Sequence, residues 1–379
     1  MSSPLHEAVD CPHRVPCGAC SLLRETYASQ LERKREELRR TLSAEGRLDP
    51  RQLLPTVPSP RTVGYRNRAK MTLSSDRERN WSLGYFRRGT REVVDAPSCR
   101  VLVPELLETT RELRDLLNGR RRFPFALRHV DLRCGTDPRR QHLTLVLKAE
   151  EMPETALPVE AILDACPRVA GLAVNLNRSP GPQVLKGAIE PLAGEREVWV
   201  TSGDLELRVS PGSFFQVNLD MLPLIHQRMR DFFTEGRVLL DLYAGVGTHG
   251  LALRDRFRRV LCVEGVRSAV ADARATIRRA SVDNVEVVAS PIHRAVRRLS
   301  GEKADAVVLN PSAAGADRAT LDLILSSQAR SLAYLSCDPT TLVRDLAVLR
   351  GGGWKLVSAQ AIDMMPQTSQ IEALALLRR

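Results

Sequence analysis

The sequence predicts an α/β protein, with a C-terminal doubly wound, mostly parallel sheet preceded by an α+β region and a cysteine-bearing N-terminal segment. Three observations predict it. From about residue 211 short apolar strands alternate with helical stretches, the pattern of a parallel sheet covered on both faces. Residues 61–210 run instead through short strands and turns, interrupted by helical stretches near 103–118 and 157–165, as an antiparallel-rich α+β unit does. Residues 1–20 are rich in Pro and Cys and carry no helical period.

The elements follow in order. Leu23, Tyr27, Leu31, Leu38 and Leu42 recur on a charged background, which predicts an amphipathic helix over 21–42 with a basic outer face. Pro55, Pro58 and Pro60 then break the pattern. Strands are expected at Arg68–Leu73, Trp81–Phe86, His142–Leu147, Leu172–Asn175 and Glu197–Val200. The parallel sheet should use Val238–Leu242, Val260–Glu264, Val285–Ala289, Ala306–Leu309 and Leu332–Ser336, with Lys355–Ala359 and Ile371–Leu377 as a hairpin at one edge. This divides the chain into an N-terminal segment with its basic helix (1–54), a central unit that includes Cys99 (55–209) and a C-terminal unit (210–379).

At 379 residues, 43% hydrophobic and 27% charged, the chain has material for two or three domains and is not a disordered one. No apolar run reaches the ~18 residues of a membrane helix. Residues 1–7 lack a basic-then-apolar signal. A cytoplasmic protein with no membrane partner is expected. Lys+Arg 56 against Asp+Glu 45 gives a net charge of +11. The excess concentrates in 61–100 and 111–140, which points to a polyanion such as RNA or DNA, the plain alternative being a solvated basic face. Arg66, Arg68, Lys70, Arg87 and Arg88 are the candidate phosphate contacts.

Val238-Leu-Leu-Asp241-Leu-Tyr243-Ala-Gly245-Val-Gly247-Thr-His-Gly250 leaves a strand and opens a helix. Glycines there let a ligand approach the backbone and the free amides of the helix start. Asp241 inside the strand end, and Glu264 closing the next strand where ribose hydroxyls would sit, favour S-adenosylmethionine over a dinucleotide. Cys11, Cys17 and Cys20 lie within ten positions, with Cys99 remote. Four thiolates can hold zinc or a [4Fe–4S] cluster, and three local ligands with one distant suit the cubane better; buried free cysteines are the alternative. Cys337 follows a parallel strand, where carboxyl ends face the ligand crevice, and a thiol of lowered pKa there is a candidate nucleophile.

Six motifs in order along the chain resemble the RNA uracil-5-methyltransferases, which make 5-methyluridine in ribosomal RNA and the tRNA T-loop. They are Cys11-Pro-His-x3-Cys17-Gly-x-Cys20, Tyr65-Arg-Asn-Arg-Ala-Lys70, Ser210-Pro-Gly-Ser-Phe-Phe-Gln216-Val-Asn218, Asp241-Leu-Tyr-Ala-Gly-Val-Gly247, Ser336-Cys-Asp-Pro339, and Asp363-Met-Met-Pro-Gln-Thr368 leading to Ile371-Glu372. The resemblance implies a class I S-adenosylmethionine methyltransferase fold behind an RNA-binding central domain. It implies a [4Fe–4S] cluster on Cys11, Cys17, Cys20 and Cys99, Cys337 as nucleophile and Glu372 as general base. Gln216, Tyr243, Gly245, Gly247, Glu264 and Asn310 would contact the cofactor, and Phe214 and Gln216 would approach the target base. The iron–sulfur branch acts chiefly on 23S rRNA, and the short stretch before Cys11 resembles its compact form without an N-terminal OB-like domain. A monomeric enzyme on 23S rRNA is thus expected. A tRNA T-loop substrate, or a catalytically silent RNA-binding or assembly factor on the same fold, are the other readings. Departures from the family pattern include Asn310-Pro-Ser-Ala-Ala-Gly315, His249 in the glycine-rich loop where Phe is usual, and Gln370 in place of His.

Overall fold

The computed structural model describes residues 7–44, 49–78, 80–119, 123–152, 157–179 and 183–379. The signal reading of the first residues falls mostly on 1–6, outside the described residues.

The chain opens with irregular turns, then helix α1 (Tyr27–Ala44) and strand β1 (Leu53–Val57). The helix starts later than its apolar pattern suggests because 21–26 are turns pinned to the far end of the chain. Leu22 N–H donates to Gln367 O at 3.0 Å, and Ser369 N–H to Ser21 Oγ at 2.9 Å. The central unit follows as β2 (Arg68–Ser75), β3 (Trp81–Phe86), β4 (Val93–Asp95), α2 (Pro104–Asn118), β5 (Leu127–Cys134), β6 (Gln141–Leu147), α3 (Val159–Ala165), β7 (Val169–Leu176) and β8 (Ile189–Gly194). Its sheet has the order β4-β3-β2-β5-β6-β7-β8 and is antiparallel except between β6 and β7. A hairpin, β9 (Val198–Ser202) and β10 (Leu205–Val209), leads into α4 (Leu222–Phe232).

The C-terminal unit then runs β11 (Gly236–Leu242), α5 (Thr248–Ala252), β12 (Phe257–Glu264), α6 (Arg267–Arg279), β13 (Val285–Ala289), α7 (Ile292–Leu299), β14 (Ala306–Leu309), α8 (Arg318–Ser326), β15 (Ser331–Ser336), α9 (Pro339–Gly351), β16 (Lys355–Ile362) and β17 (Glu372–Arg378). The sheet order is β1-β16-β17-β15-β14-β11-β12-β13, with β11 to β15 mutually parallel and β17 antiparallel to both neighbours. Strands such as Ala306–Leu309 are buried along their whole length. They read as unbroken apolar runs because both faces are covered by helices. One face packs α1, α7, α8 and α9 through Leu38, Leu42, Leu299, Ile324 and Leu346. The other packs α4, α5, α6 and the β9–β10 hairpin through Met229, Leu251, Val270 and Leu207. Burying a leucine such as Leu38 contributes about 2 kcal/mol.

Two sequence expectations need correction. The β16–β17 hairpin is not at the edge, since β1 pairs parallel to β16 (Leu53 beside Ala359) and forms the edge itself. A division at residue 54 or 55 cuts through β1, and one at 209 or 210 separates the β9–β10 hairpin from the C-terminal core that buries it. β1 is short and carries Pro55, so only its long-range pairing makes it a strand.

Candidate active site

β11 ends in a turn with an unusual backbone. Tyr243 has φ 59°, Gly245 φ 58° and Gly247 φ 84°, left-handed values that favour glycine. The Tyr243 hydroxyl hydrogen-bonds Thr320 Oγ1 at 3.0 Å and accepts Asp317 N–H at 3.3 Å, so α8 holds the ring at the crevice. Glu264 closes β12 with both carboxylate oxygens fixed: Oε2 accepts Gly245 N–H at 2.8 Å and Oε1 accepts Val266 N–H at 2.7 Å. Next to it Val266 presents an exposed apolar side chain. Asp241 lies fully buried beneath the loop. Its Oδ2 accepts Gly250 N–H at 2.7 Å at the start of α5, and burial pushes its carboxyl up to about 7. Asp241 therefore braces the glycine turn. An anchored carboxylate that can accept from vicinal hydroxyls, with an apolar surface beside it and a glycine turn that lets a ligand come close, suits a nucleoside.

Asn310 ends β14 on the same side of the sheet. Its Nδ2 lies 3.2 Å from Nε2 of His249, whose Nδ1 lies 3.3 Å from Nε2 of His226. An amide nitrogen only donates, so His249 accepts at Nε2 and donates from Nδ1 to His226. Burial pushes His249 down to about 4 and His226, next to it, down to about 3, so the pair is neutral at physiological pH. The chain fixes which face of the Asn310 amide points to the crevice. In the sequence His249 stands out only as a departure from the resembled pattern, because its partners His226 and Asn310 lie 23 and 61 positions away.

Over the crevice runs the Ser210–Asn218 loop, gripped from two units. The Asp272 carboxylate on α6 accepts Ser210 N–H at 2.8 Å, Ser210 Oγ at 2.6 Å and Ser213 Oγ at 2.6 Å. Arg133 of β5 donates to Ser210 O at 3.0 Å and Ser213 O at 3.2 Å. The clamp leaves Phe214 66% exposed and Gln216 half-buried without a side-chain partner among the described residues. An exposed aromatic ring on a rigid loop is a stacking surface for a base.

Cys337 is the first residue beyond β15. The antiparallel register pairs Ser336 with Ala373, so the next pair along would set position 337 against Glu372, the first residue of β17. The thiol is half-buried on a cavity of about 450 Å³ that Lys34, Asp338, Ser369 and Gln370 also line. Glu372 is buried beneath it, and that burial alone pushes its carboxyl up to about 8. Burial, then the Glu372 charge, raise the Cys337 thiol. This differs from the lowered thiol expected for a free-standing nucleophile: in the unliganded protein both groups hold their protons at neutral pH.

The loop between β16 and β17 sets this geometry, and α1 holds the loop. Lys34 Nζ meets Asp363 Oδ1 at 2.5 Å and Met365 O at 3.1 Å, with both side chains buried. Gln30 and Gln367 exchange hydrogen bonds of 3.0 and 2.9 Å, and Gln367 sits at φ 70°. Tyr65 donates its hydroxyl to Pro366 O at 2.9 Å. Lys34 was invisible in the sequence, where it reads as one more cation on a basic helix.

Cys11, Cys17, Cys20 and Cys99 line a single pocket with His13 and Tyr85. Burial and the other three cysteines push Cys20 up to about 12. Backbone amides are directed at two of the sulfurs, that of Ala19 at Cys17 and those of Val101 and Leu102 at Cys99. Among the described residues no group of three or more His, Cys, Asp or Glu is arranged to hold a metal ion. Of the candidate phosphate contacts, Arg68 is ruled out. It is buried and bound side-on to Asp131 at 2.7 Å, structural chemistry inside the β2–β5 pair. Arg87 is engaged by Glu92 at 2.7 Å, while Lys70 and Arg88 are exposed. No helix among the described residues is long and apolar enough to cross a membrane.

Comparison with known proteins fits this geometry. Residues 195–379 match the sequence model of the tRNA (uracil-5-)-methyltransferase family. An uncharacterized RNA methyltransferase of Thermosynechococcus vestitus is 32% identical over 372 residues, covering 95% of this chain and 82% of the relative. Another, from Halalkalibacterium halodurans, is 28% identical over 99% of this chain and 84% of its own length. The crystal structure of the Pyrococcus abyssi tRNA (uracil-54, C5)-methyltransferase with S-adenosyl-L-homocysteine superposes with a TM-score of 0.76, at 27% identity over 99% of this chain and 86% of that one.

Proposed function

We propose that this chain, which belongs to the RNA uracil-5-methyltransferase family, methylates C5 of a specific uridine in 23S rRNA through a covalent bond between Cys337 and C6 of the base. The observation that supports this most is the β15–β17 register, whose continuation sets the Cys337 thiol, just beyond the carboxyl end of β15, against the buried carboxyl of Glu372 at the start of β17. C5 of uracil is a poor nucleophile. The Cys337 thiol, protonated at rest, first gives up its proton to solvent; the thiolate then adds to C6, forming the S–C6 bond and moving the C5–C6 π pair into an enolate, which makes C5 nucleophilic. C5 then takes the methyl group. Glu372, ionised, removes the proton from C5, and the electron pair left behind expels the Cys337 sulfur, restoring the C5–C6 double bond. Phe214 and Gln216 offer stacking and hydrogen bonding to a base drawn out of its helix.

S-adenosylmethionine supplies the methyl group as a positively charged sulfonium. Glu264 would hold its ribose hydroxyls, with Gly245, Gly247, Tyr243, Gln216 and Asn310 around the rest of the molecule. Cys11, Cys17, Cys20 and Cys99 would hold a [4Fe–4S] cluster with a structural role. The common pocket and the amides aimed at sulfur support it.

The Pyrococcus abyssi likeness favours a second substrate, a tRNA T-loop uridine. Mapping 5-methyluridine in cells lacking the gene separates the two. Loss of one 23S rRNA site supports the proposal, and loss confined to the tRNA T-loop moves the substrate to the second reading. Intact 5-methyluridine in both RNAs would overturn both.

A further inference from the structure

A groove of about 760 Å³ runs between β8 of the central unit and the start of α6 in the C-terminal unit, and it borders the proposed cofactor site, with Val266 lining both. α6 begins beside the end of β12, three strand positions from β15, so the groove is about 14 Å across the sheet from the thiol. Its chemistry is one-sided. Lys186, Arg196, Arg208 and Arg267 line it, and no Asp or Glu is among its described lining residues. Arg208 is occupied, bound to Glu197 at 3.0 Å and close to Asp272. Lys186, Arg196 and Arg267 make no ion pair with any described residue.

Two independent features face the same space. α6 has Val266 at its N-cap with no side-chain cap, and its first intrahelical bond is donated by Val270, so the amides of Arg267 and Ser268 are free where they border the groove. Uncapped helix starts bind anions through such amides and the helix dipole. His142, 2% exposed, also lines the groove. Its Cδ2 edge packs against Gly171, and its Nδ1, on the opposite edge of the ring, has no hydrogen-bond partner. A buried polar nitrogen without a partner costs about 1–3 kcal/mol unless something completes it.

We propose that this groove binds the sugar–phosphate backbone of the RNA substrate. The free amides and the three unpaired cations take phosphate oxygens, and His142 meets a ribose or phosphate oxygen. The Ser210–Ser213 turn forms one wall of the groove and carries Phe214, so backbone held here sits next to the loop that would receive the base. The inference rests on the proposed RNA substrate but not on the methylation chemistry.

The test uses the full-length protein with a single-stranded RNA oligonucleotide and the variants Lys186→Ala, Arg196→Ala and the double. Each lost contact should flatten the dependence of log K on log salt by about 0.7, and the pair by about 1.4. S-adenosylmethionine affinity and kcat at saturating RNA should stay unchanged while KM for RNA rises. A slope that does not change in the double variant overturns the proposal. So does binding of inorganic phosphate that is lost in the double variant while RNA binding is not, which would make the groove a small-anion site. A protein that shows the slope change yet methylates no uridine refutes the proposed function and spares the groove. One that methylates with an unchanged slope does the reverse.

Discussion

Once Cys337 is bonded to the base, resolution of the adduct should depend on one carboxyl. Burial alone pushes Glu372 up to about 8 from a usual 4.5, and because no nearby charge causes the shift, it persists when the thiol is consumed. With that value about one Glu372 in ten is ionised at pH 7 and one in a hundred at pH 6. The rate of C5 proton removal should then rise about fiftyfold between pH 6 and pH 8, whereas an ordinary carboxyl would give almost no change. The assay is single-turnover. The enzyme is mixed with methyl donor and RNA carrying tritium at C5 of the target, then quenched, and tritium release and covalent protein–RNA complex are followed together. Wild type should accumulate more complex at pH 6 than at pH 8. Glu372→Gln, which copies the protonated form, should hold a methylated complex that decays about 10²–10⁴-fold more slowly at every pH. The raised carboxyl also gives its own signature in stability. The folded state holds a proton that the unfolded chain gives up near 4.5, so wild type loses stability as pH rises from there through about 8, and the Gln variant escapes that loss. A flat wild-type decay between pH 6 and 8, or tritium release by Glu372→Gln at the wild-type rate, refutes the assignment of Glu372 as base.

Other outcomes follow from the same structure. Cys337→Ala should bind S-adenosylmethionine normally yet give neither product nor covalent RNA complex, including with 5-fluorouridine at the target; retained methylation would remove the thiol from the mechanism. Lys34→Met should leave Asp363 charged and buried without its partner, costing about 3–5 kcal/mol in urea unfolding; a change within 0.5 kcal/mol would mean that α1 does not brace the loop. The His226–His249 pair is neutral when folded, while unfolded imidazoles protonate near 6.5, so stability should be full above that pH and fall as pH drops toward 4. His249→Phe should flatten that fall and weaken cofactor binding, and an unchanged acid limb would count against the buried pair. Protein purified without oxygen should carry about four irons per chain and lose them on Cys99→Ala; stoichiometric zinc instead would defeat the cluster.

The parts of this molecule that were legible in the sequence are those where local pattern and tertiary role agree. Ala306–Leu309 has the bounds its apolar run suggested, since a strand covered on both faces has nothing polar to interrupt it. Cys337 and Glu372 were legible through motif order, although thirty-odd residues separate them and only the β15–β17 register brings them together. β5 went unread because Leu-Arg-His-Val-Asp-Leu-Arg-Cys looks like surface, yet Asp131 and Arg133 are buried in pairs with residues far along the chain. Arg68 was misread for the same reason. A charge whose partner is distant in sequence cannot be told from one facing water.

The edge strand β1 has a consequence for how the protein is made. Leu53 and Ala359 are neighbours in the sheet but roughly 300 positions apart in the chain, an extreme non-local contact. At about 5–20 residues per second, α1 and β1 leave the ribosome roughly 15–60 s before β16 exists to receive them. During that interval Leu38, Leu42 and Leu53 have no sheet to cover, and Lys34 has no Asp363. A fragment beginning at residue 210 meets the mirror-image difficulty, an open β16 edge prone to pairing with other chains. α1 and β1 are therefore made early but find their place late, and the cavity at Cys337, which Lys34 helps to line, is complete only when α1 meets the loop between β16 and β17.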